Sequence, residues 1–233
     1  MKKINYSEYE LNQIYTITQK LKVAYDINLP KQYKILLNEL SLSGWYMDYG
    51  LSLKTISYLL SIDYQNKTIL DSYLMAYYRQ RIKSIEKFTL KSFPARSHII
   101  KSAFYAHKKK LYELSIPVIL TQIDGISFDL YEFNIFSKKE TKKNKIPKNW
   151  IEKLKKDNLT ISILEPLMKN DIIAANFIES KQYNHVVNRN QILHGRIIDY
   201  NSEKNSLKVI SLLNYLITIV KDIGRNDDQK NWF

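Results

Sequence analysis

Helix-breaking residues are scarce in this chain, and their scarcity constrains the fold more than any other feature. The 233 residues include only five glycines and five prolines. A β-rich chain of this length needs many tight turns, and glycine and proline are the residues that most often form them. Hydrophobic residues make up 45% of the chain, which is enough to bury a core. We therefore predict an all-α fold of long helices.

Apolar periodicity and helix-end signals predict where these helices lie. Ser7 and Glu10 have the spacing of a capping box ahead of the first apolar run. The residue before Pro94 disfavours helix, so a long helix should end just ahead of it. The predicted helices cover residues 8–25, 31–42, 53–62, 67–91, 97–107, 111–133, 159–168, 188–194 and 203–223.

The chain divides into three predicted regions. Residues 1–93 form an N-terminal helical region, which would sense a trigger, help the chain to dimerise or hold a substrate. Residues 94–225 form a C-terminal helical bundle, and residues 226–233 form a polar tail. Twelve of the 18 tyrosines precede residue 79, so the two helical regions differ in composition.

The formal net charge of +13 favours a polyanionic partner, with RNA or DNA first and an anionic membrane second. Compositional bias is the alternative, because only six of the 36 basic residues are arginine. Nine lysines lie between Lys138 and Lys156, in a predicted loop that is either simply solvated or able to hold an RNA backbone. The candidate RNA-binding residues are Lys138, Lys139, Lys142, Lys143 and Arg196.

Several classes of site and location are disfavoured by what the sequence lacks. With no cysteine, disulfides and cysteine-based zinc sites are excluded, and a reducing cytoplasm is the expected location. No signal peptide or membrane span is recognisable, so no membrane partner is expected. No phosphate-binding glycine loop or metal-ligand spacing occurs, and we expect no cofactor and no metal. His107, beside Lys108–Lys110, is predicted to lie on a solvated face.

The segment Arg189-Asn190-Gln191-Ile192-Leu193-His194 carries the most chemistry. On a helix, Asn190 and His194 are neighbours at i and i+4. Arginine presents a fork of donors to phosphate, histidine exchanges protons near neutral pH, and asparagine can orient either. Such residues can cleave RNA without a metal, since histidine can act on the ribose 2′-hydroxyl or the leaving oxygen while arginine stabilises the phosphorane.

This motif, with four residues between arginine and histidine and with asparagine directly after the arginine, resembles that of the HEPN superfamily (higher eukaryotes and prokaryotes nucleotide-binding domains). The resemblance covers about residues 95–225, including Ala103–Ile126 and the stretch after His194. It implies a HEPN-like helical bundle that dimerises, so that two motifs form one composite cleft. Many members are metal-independent endoribonucleases of phage defence (abortive infection) or toxin–antitoxin systems. An antitoxin or another defence protein is therefore a further possible partner.

Site residues also follow from the resemblance. Arg189 and His194 correspond to the catalytic pair, and Asn190 to its polar helper. An acidic residue on an earlier helix often supports the site in relatives, and Asp124 is the candidate here. Some relatives have a tyrosine two residues after the motif histidine, where a partner enzyme modifies it. Arg196 stands at that position, so this form of control is not expected.

Two other functions stay open from sequence. One is a non-catalytic helical module that binds RNA or a nucleotide, or that serves as the scaffold of a defence complex. The other is a basic DNA-binding regulator, although no helix-turn-helix pattern is recognisable.

Overall fold

A computed structural model describes residues 7–23, 28–47, 50–63, 66–131 and 187–224 of the chain. Within these ranges all the regular elements are helices, which confirms the all-α prediction. They are α1 (Glu8–Val23), α2 (Leu29–Leu42), α3 (Leu53–Ser61), α4 (Lys67–Ser92), a 3₁₀ turn (Pro94–Arg96), α5 (Ser97–Lys108), α6 (Tyr112–Tyr131), α7 (Arg189–Leu193) and α8 (Glu203–Gly224). The helix predicted over 159–168 lies outside the described residues.

Helix starts follow from side-chain caps in the sequence. The side-chain oxygens of Ser52, Asn66 and Asn188 accept hydrogen bonds from backbone N–H groups at the starts of α3, α4 and α7. Such a cap satisfies a donor that the first turn of a helix leaves unpaired, and it stabilises the helix by about 1 kcal/mol. Pro30 lies in the first turn of α2, where the missing N–H costs nothing.

The core is built around α8, whose residues from Ser206 to Ile217 are all buried. This helix packs against α4 and α6, and α5 packs against both α4 and α6. Residues between α2 and α3 reach the same core, since the backbone N–H of Tyr46 donates to Ser211 Oγ at 3.1 Å. Buried apolar side chains on both sides of Pro94 thus form one cluster. The three-region division stays a prediction.

Pro117 lies inside α6 and leaves a gap in the helix's own hydrogen bonding. Because proline has no N–H, the carbonyl of Glu113 loses its usual donor four residues on. The hydroxyl of Tyr200 donates to that oxygen at 3.3 Å. The segment between α7 and α8 is therefore attached to the start of α6.

None of the helices within the described ranges combines the length and apolar character that crossing a membrane requires.

Candidate functional site

The motif Arg189–His194 forms a single helical turn, α7, with a defined start and end. Asn188 Oδ1 accepts the N–H of Gln191 at 2.9 Å, and His194 is the C-cap residue. Gly195 follows with a φ of 65°, a left-handed conformation that suits glycine. Its N–H donates to Ile192 O at 3.0 Å, closing the turn. The sequence "NRNQILHG" therefore encodes both ends of this element.

Arg189 is held by the carboxylate of Asp124 on α6. Its Nε donates to Asp124 Oδ2 at 3.0 Å, and its Nη2 contacts the same oxygen. Its Nη1 donates to Asn190 Oδ1 at 2.9 Å. The side chains of Arg189 and Asp124 are 21% and 16% exposed, so the pair is shielded but reachable from solvent. Three of the four predicted catalytic residues thus meet, although Asp124 lies 65 residues before Arg189.

His194 is exposed at the end of α7. Its backbone N–H donates to Asn190 O at 3.1 Å, which closes the turn between the two polar motif residues. Arg196 is also exposed, and its backbone N–H donates to Gln191 O at 2.8 Å. The four lysines predicted to bind RNA, Lys138, Lys139, Lys142 and Lys143, lie outside the described residues.

A second arginine reaches α6, and sequence reasoning missed it. Arg96 donates from Nε and Nη2 to Asp129 Oδ2 at 3.0 and 2.6 Å, and from Nη1 to Gln122 Oε1 at 3.2 Å. Its guanidinium lies over Gly125, where an added Cβ would come within 2.5 Å of Nη1. A glycine inside a helix is the sequence signal that could have indicated this close approach.

Phe128 was also missed. Its side chain is 60% exposed, one helical turn after Asp124 on α6. An exposed aromatic residue beside two arginine–carboxylate pairs belongs to the surroundings of the candidate site.

The prediction that His107 lies on a solvated face is wrong. The residue is 8% exposed, and its Nδ1 lies 2.8 Å from Ser206 Oγ on α8. Burial lowers the pKa of His107, which disfavours the imidazolium. The neighbouring Lys108–Lys110 are exposed, so the run of charges indicates a solvated face for the lysines but not for the histidine beside them. The histidine is buried where the end of α5 meets Ser206 of α8.

A buried ion cluster lies elsewhere, between α4 and α8. Lys208 is 2% exposed, and its Nζ lies 3.5 Å from Asp71 Oδ1. The Nε1 of Trp45 donates to that same oxygen at 2.8 Å, and Lys204 Nζ lies 3.1 Å from Asp71 Oδ2. Burial lowers the pKa of Lys208 to about 8, although Asp71 acts in the opposite direction. This cluster connects α4, α8 and the segment after α2.

Among the side chains that the structure describes, no three histidine or acidic residues gather where they could hold a metal ion. Neither the known protein families, nor the curated proteins, nor the solved structures include a match to this chain.

Proposed function

We propose that the chain is a metal-independent endoribonuclease of the HEPN type. The observation that carries the proposal is the joining of Arg189, Asn190 and Asp124 in one hydrogen-bonded group, with the exposed His194 one turn away. A guanidinium held by a carboxylate is oriented before the substrate arrives, and such pre-organisation stabilises a transition state better than a mobile cation does.

In the proposed reaction, His194 removes the proton from a ribose 2′-hydroxyl, and the 2′-oxygen attacks the adjacent phosphorus. The P–O5′ bond breaks, and the 5′-oxygen leaves with a proton from the histidine of the second copy or from water. The products are a 2′,3′-cyclic phosphate and a 5′-hydroxyl. Arg189 donates to the phosphoryl oxygens as charge develops on them. Asp124 is a positioning residue that acts through Arg189.

The proposal extends to a cytoplasmic homodimer in which two copies of the motif form one cleft. It also places the enzyme in phage defence, or as a toxin that an antitoxin restrains. The net charge of +13 supports an RNA substrate, since phosphate contacts dominate the affinity of proteins for nucleic acid.

A non-catalytic RNA-binding module is the second candidate. The Arg189–Asp124 pair has low exposure, as a purely structural ion pair would. This observation favours a module in which the pair holds α7 on α6 and takes no part in catalysis. A cleavage experiment separates the two candidates.

Purified protein should cleave total RNA and tRNA in the presence of EDTA and leave fragments that end in cyclic phosphate. His194→Ala should abolish cleavage, whereas His98→Ala, which removes another exposed histidine, should leave it unchanged. Arg189→Ala should act like His194→Ala, with Arg79→Ala as its control, because Arg79 also forms a two-bond pair with a carboxylate. RNA binding without cleavage by any of these proteins would favour the non-catalytic module. Equal cleavage by wild type and His194→Ala would contradict the proposed mechanism.

A further inference from the structure

The solvent-facing side of α6 lies between two arginines that come from distant parts of the chain. At about 100° per residue, Leu114, Thr121 and Phe128 share this side, and all three are exposed. Arg189 meets the helix at Asp124, about 40° around it from Phe128. On the opposite side of Phe128, Arg96 meets the helix at Asp129, about 100° around. The exposed ring is therefore flanked by a guanidinium on each side.

We propose that a segment of single-stranded RNA crosses this side of α6. One phosphate binds at Arg189, a base stacks on Phe128, and a second phosphate binds at Arg96. This inference deepens the proposed function and rests on it for the identity of the ligand. It adds a base-binding surface and a second phosphate site to the cleavage motif.

The carboxylates that hold the two arginines are separated along α6. Asp124 and Asp129 are five residues apart, which corresponds to about 7.5 Å along the helix axis. A stacked strand carries one phosphate for about every 3.4 Å of its axis. The two carboxylates are thus about two phosphate spacings apart, while the guanidinium of Arg96 itself reaches back from Asp129 to Gln122 and lies over Gly125. The strand would therefore pass across α6 from Arg189 on one side of Phe128 to Arg96 on the other.

The chemistry of each group also suits RNA. Arginine binds phosphate through parallel N–H donors, and aromatic rings stack on any of the four bases. The side chain of Asp129 is 54% exposed, so the ion pair that now occupies Arg96 is screened by water. Exchanging that exposed carboxylate for an RNA phosphate therefore costs little free energy. With a net charge of +13, the chain also attracts the polyanion from a distance.

Gly125 allows a test that keeps the charge of Arg96 unchanged. In Gly125→Ala, the new methyl group would occupy the space of the guanidinium, 2.5 Å from Nη1. The flexible arginine side chain must then move off the helix, while the backbone stays in place. This variant displaces the proposed phosphate ligand, and Arg96→Ala removes it.

The experiment measures binding of a fluorescein-labelled oligouridylate and of an abasic strand of the same length. All variants are made in the His194→Ala protein, so that cleavage does not interfere. Arg79→Ala is the control for a lost arginine. Tyr105→Ala is the control for a lost exposed ring, since Tyr105 is 59% exposed on α5. Circular dichroism checks that each variant is folded.

We expect Phe128→Ala to weaken oligouridylate binding about tenfold and to leave abasic-strand binding unchanged. Arg96→Ala should weaken binding of both strands and reduce the slope of log K against log salt by about 0.7. Gly125→Ala should weaken both strands as well. The Arg79 and Tyr105 variants should bind like the parent protein.

Two results would overturn the inference. One is equal effects of the α6 variants and their controls. The other is loss of dimer in Phe128→Ala, measured by light scattering, together with unchanged RNA binding, which would make this side of α6 a contact between two copies. Neither result depends on cleavage by the wild-type protein. Absence of cleavage with the expected binding pattern would reject the ribonuclease and leave the RNA surface standing.

Discussion

Replacing Lys208 by methionine should stabilise the protein, although it removes a buried ion pair. Lys208 is 2% exposed, and burial lowers its pKa from 10.5 to about 8. At about 1.4 kcal/mol per pKa unit, keeping the ammonium charged at neutral pH costs the folded state about 3 kcal/mol. Methionine has a similar length and no charge to bury. Since Asp71 loses one of its partners, the expected gain is smaller, about 1–3 kcal/mol.

The dependence on pH gives this prediction a second test. The folded state binds the Lys208 proton less tightly than the unfolded chain does, so the cost is complete below about pH 8. It decreases as the pH rises from there, because the lysine of the folded state loses its proton, and it vanishes above about 10.5, where the lysine is neutral in both states. The advantage of Lys208→Met over wild type should therefore shrink as the pH rises above about 8.

Urea unfolding followed by circular dichroism measures both effects. Lys204→Met is the matched control, because Lys204 pairs with the same Asp71 from a side chain that is 40% exposed. An exposed pair contributes about 0–1 kcal/mol, so this variant should change stability little. Asp71→Asn should destabilise by about 3 kcal/mol, since it leaves the buried ammonium without its carboxylate. A loss of more than about 1 kcal/mol in Lys208→Met would refute the reasoning.

Two further predictions concern the ends of helices and the candidate site. Lys110 has a φ of 62°, which is unfavourable for a residue with a Cβ, so Lys110→Gly should raise stability by about 1 kcal/mol in thermal unfolding. Gly195→Ala, at a φ of 65°, should lower it by a similar amount, and the opposite signs would contradict the left-handed assignment of both residues. Asp124→Asn should reduce the rate of RNA cleavage roughly ten- to a hundredfold with little change in KM, because Arg189 loses its orienting carboxylate. An unchanged rate would remove Asp124 from the site.

Most helix boundaries could be predicted from the sequence because their signals are local. The starts of α3, α4 and α7 follow Ser52, Asn66 and Asn188, each of which accepts a hydrogen bond in the first turn. The predicted segments 53–62 and 67–91 differ from the observed helices by one residue at their ends. A capping side chain bonds a backbone N–H two or three residues later, so both partners of the hydrogen bond lie in the same short stretch of sequence.

Burial of polar residues could not be predicted in this way, because it depends on which helices pack together. His107 precedes three exposed lysines, and nothing nearby in the sequence indicates the contact with Ser206, 99 residues later. Lys208 lies in an apolar helix with its carboxylate on α4. In each case the partner that makes burial tolerable is supplied by another helix. The local sequence pattern therefore predicts the exposure of the lysines in the α5–α6 turn, but it does not predict the burial of His107 and Lys208.

In the candidate site, too, the local structure could be predicted from the sequence, whereas the contacts between distant segments could not. The turn that carries Arg189, Asn190 and His194 is local, and its capping residues are in the motif itself. Asp124 was a prediction from the resemblance, and only the packing of α7 on α6 brings it to Arg189. Arg96 belongs to no motif, and the glycine that its guanidinium covers, Gly125, is a sequence signal of its approach to α6. If these contacts serve catalysis, mild loosening of α7 from α6 should abolish cleavage before the bundle unfolds. Activity should then disappear at lower urea concentration than the helical signal does.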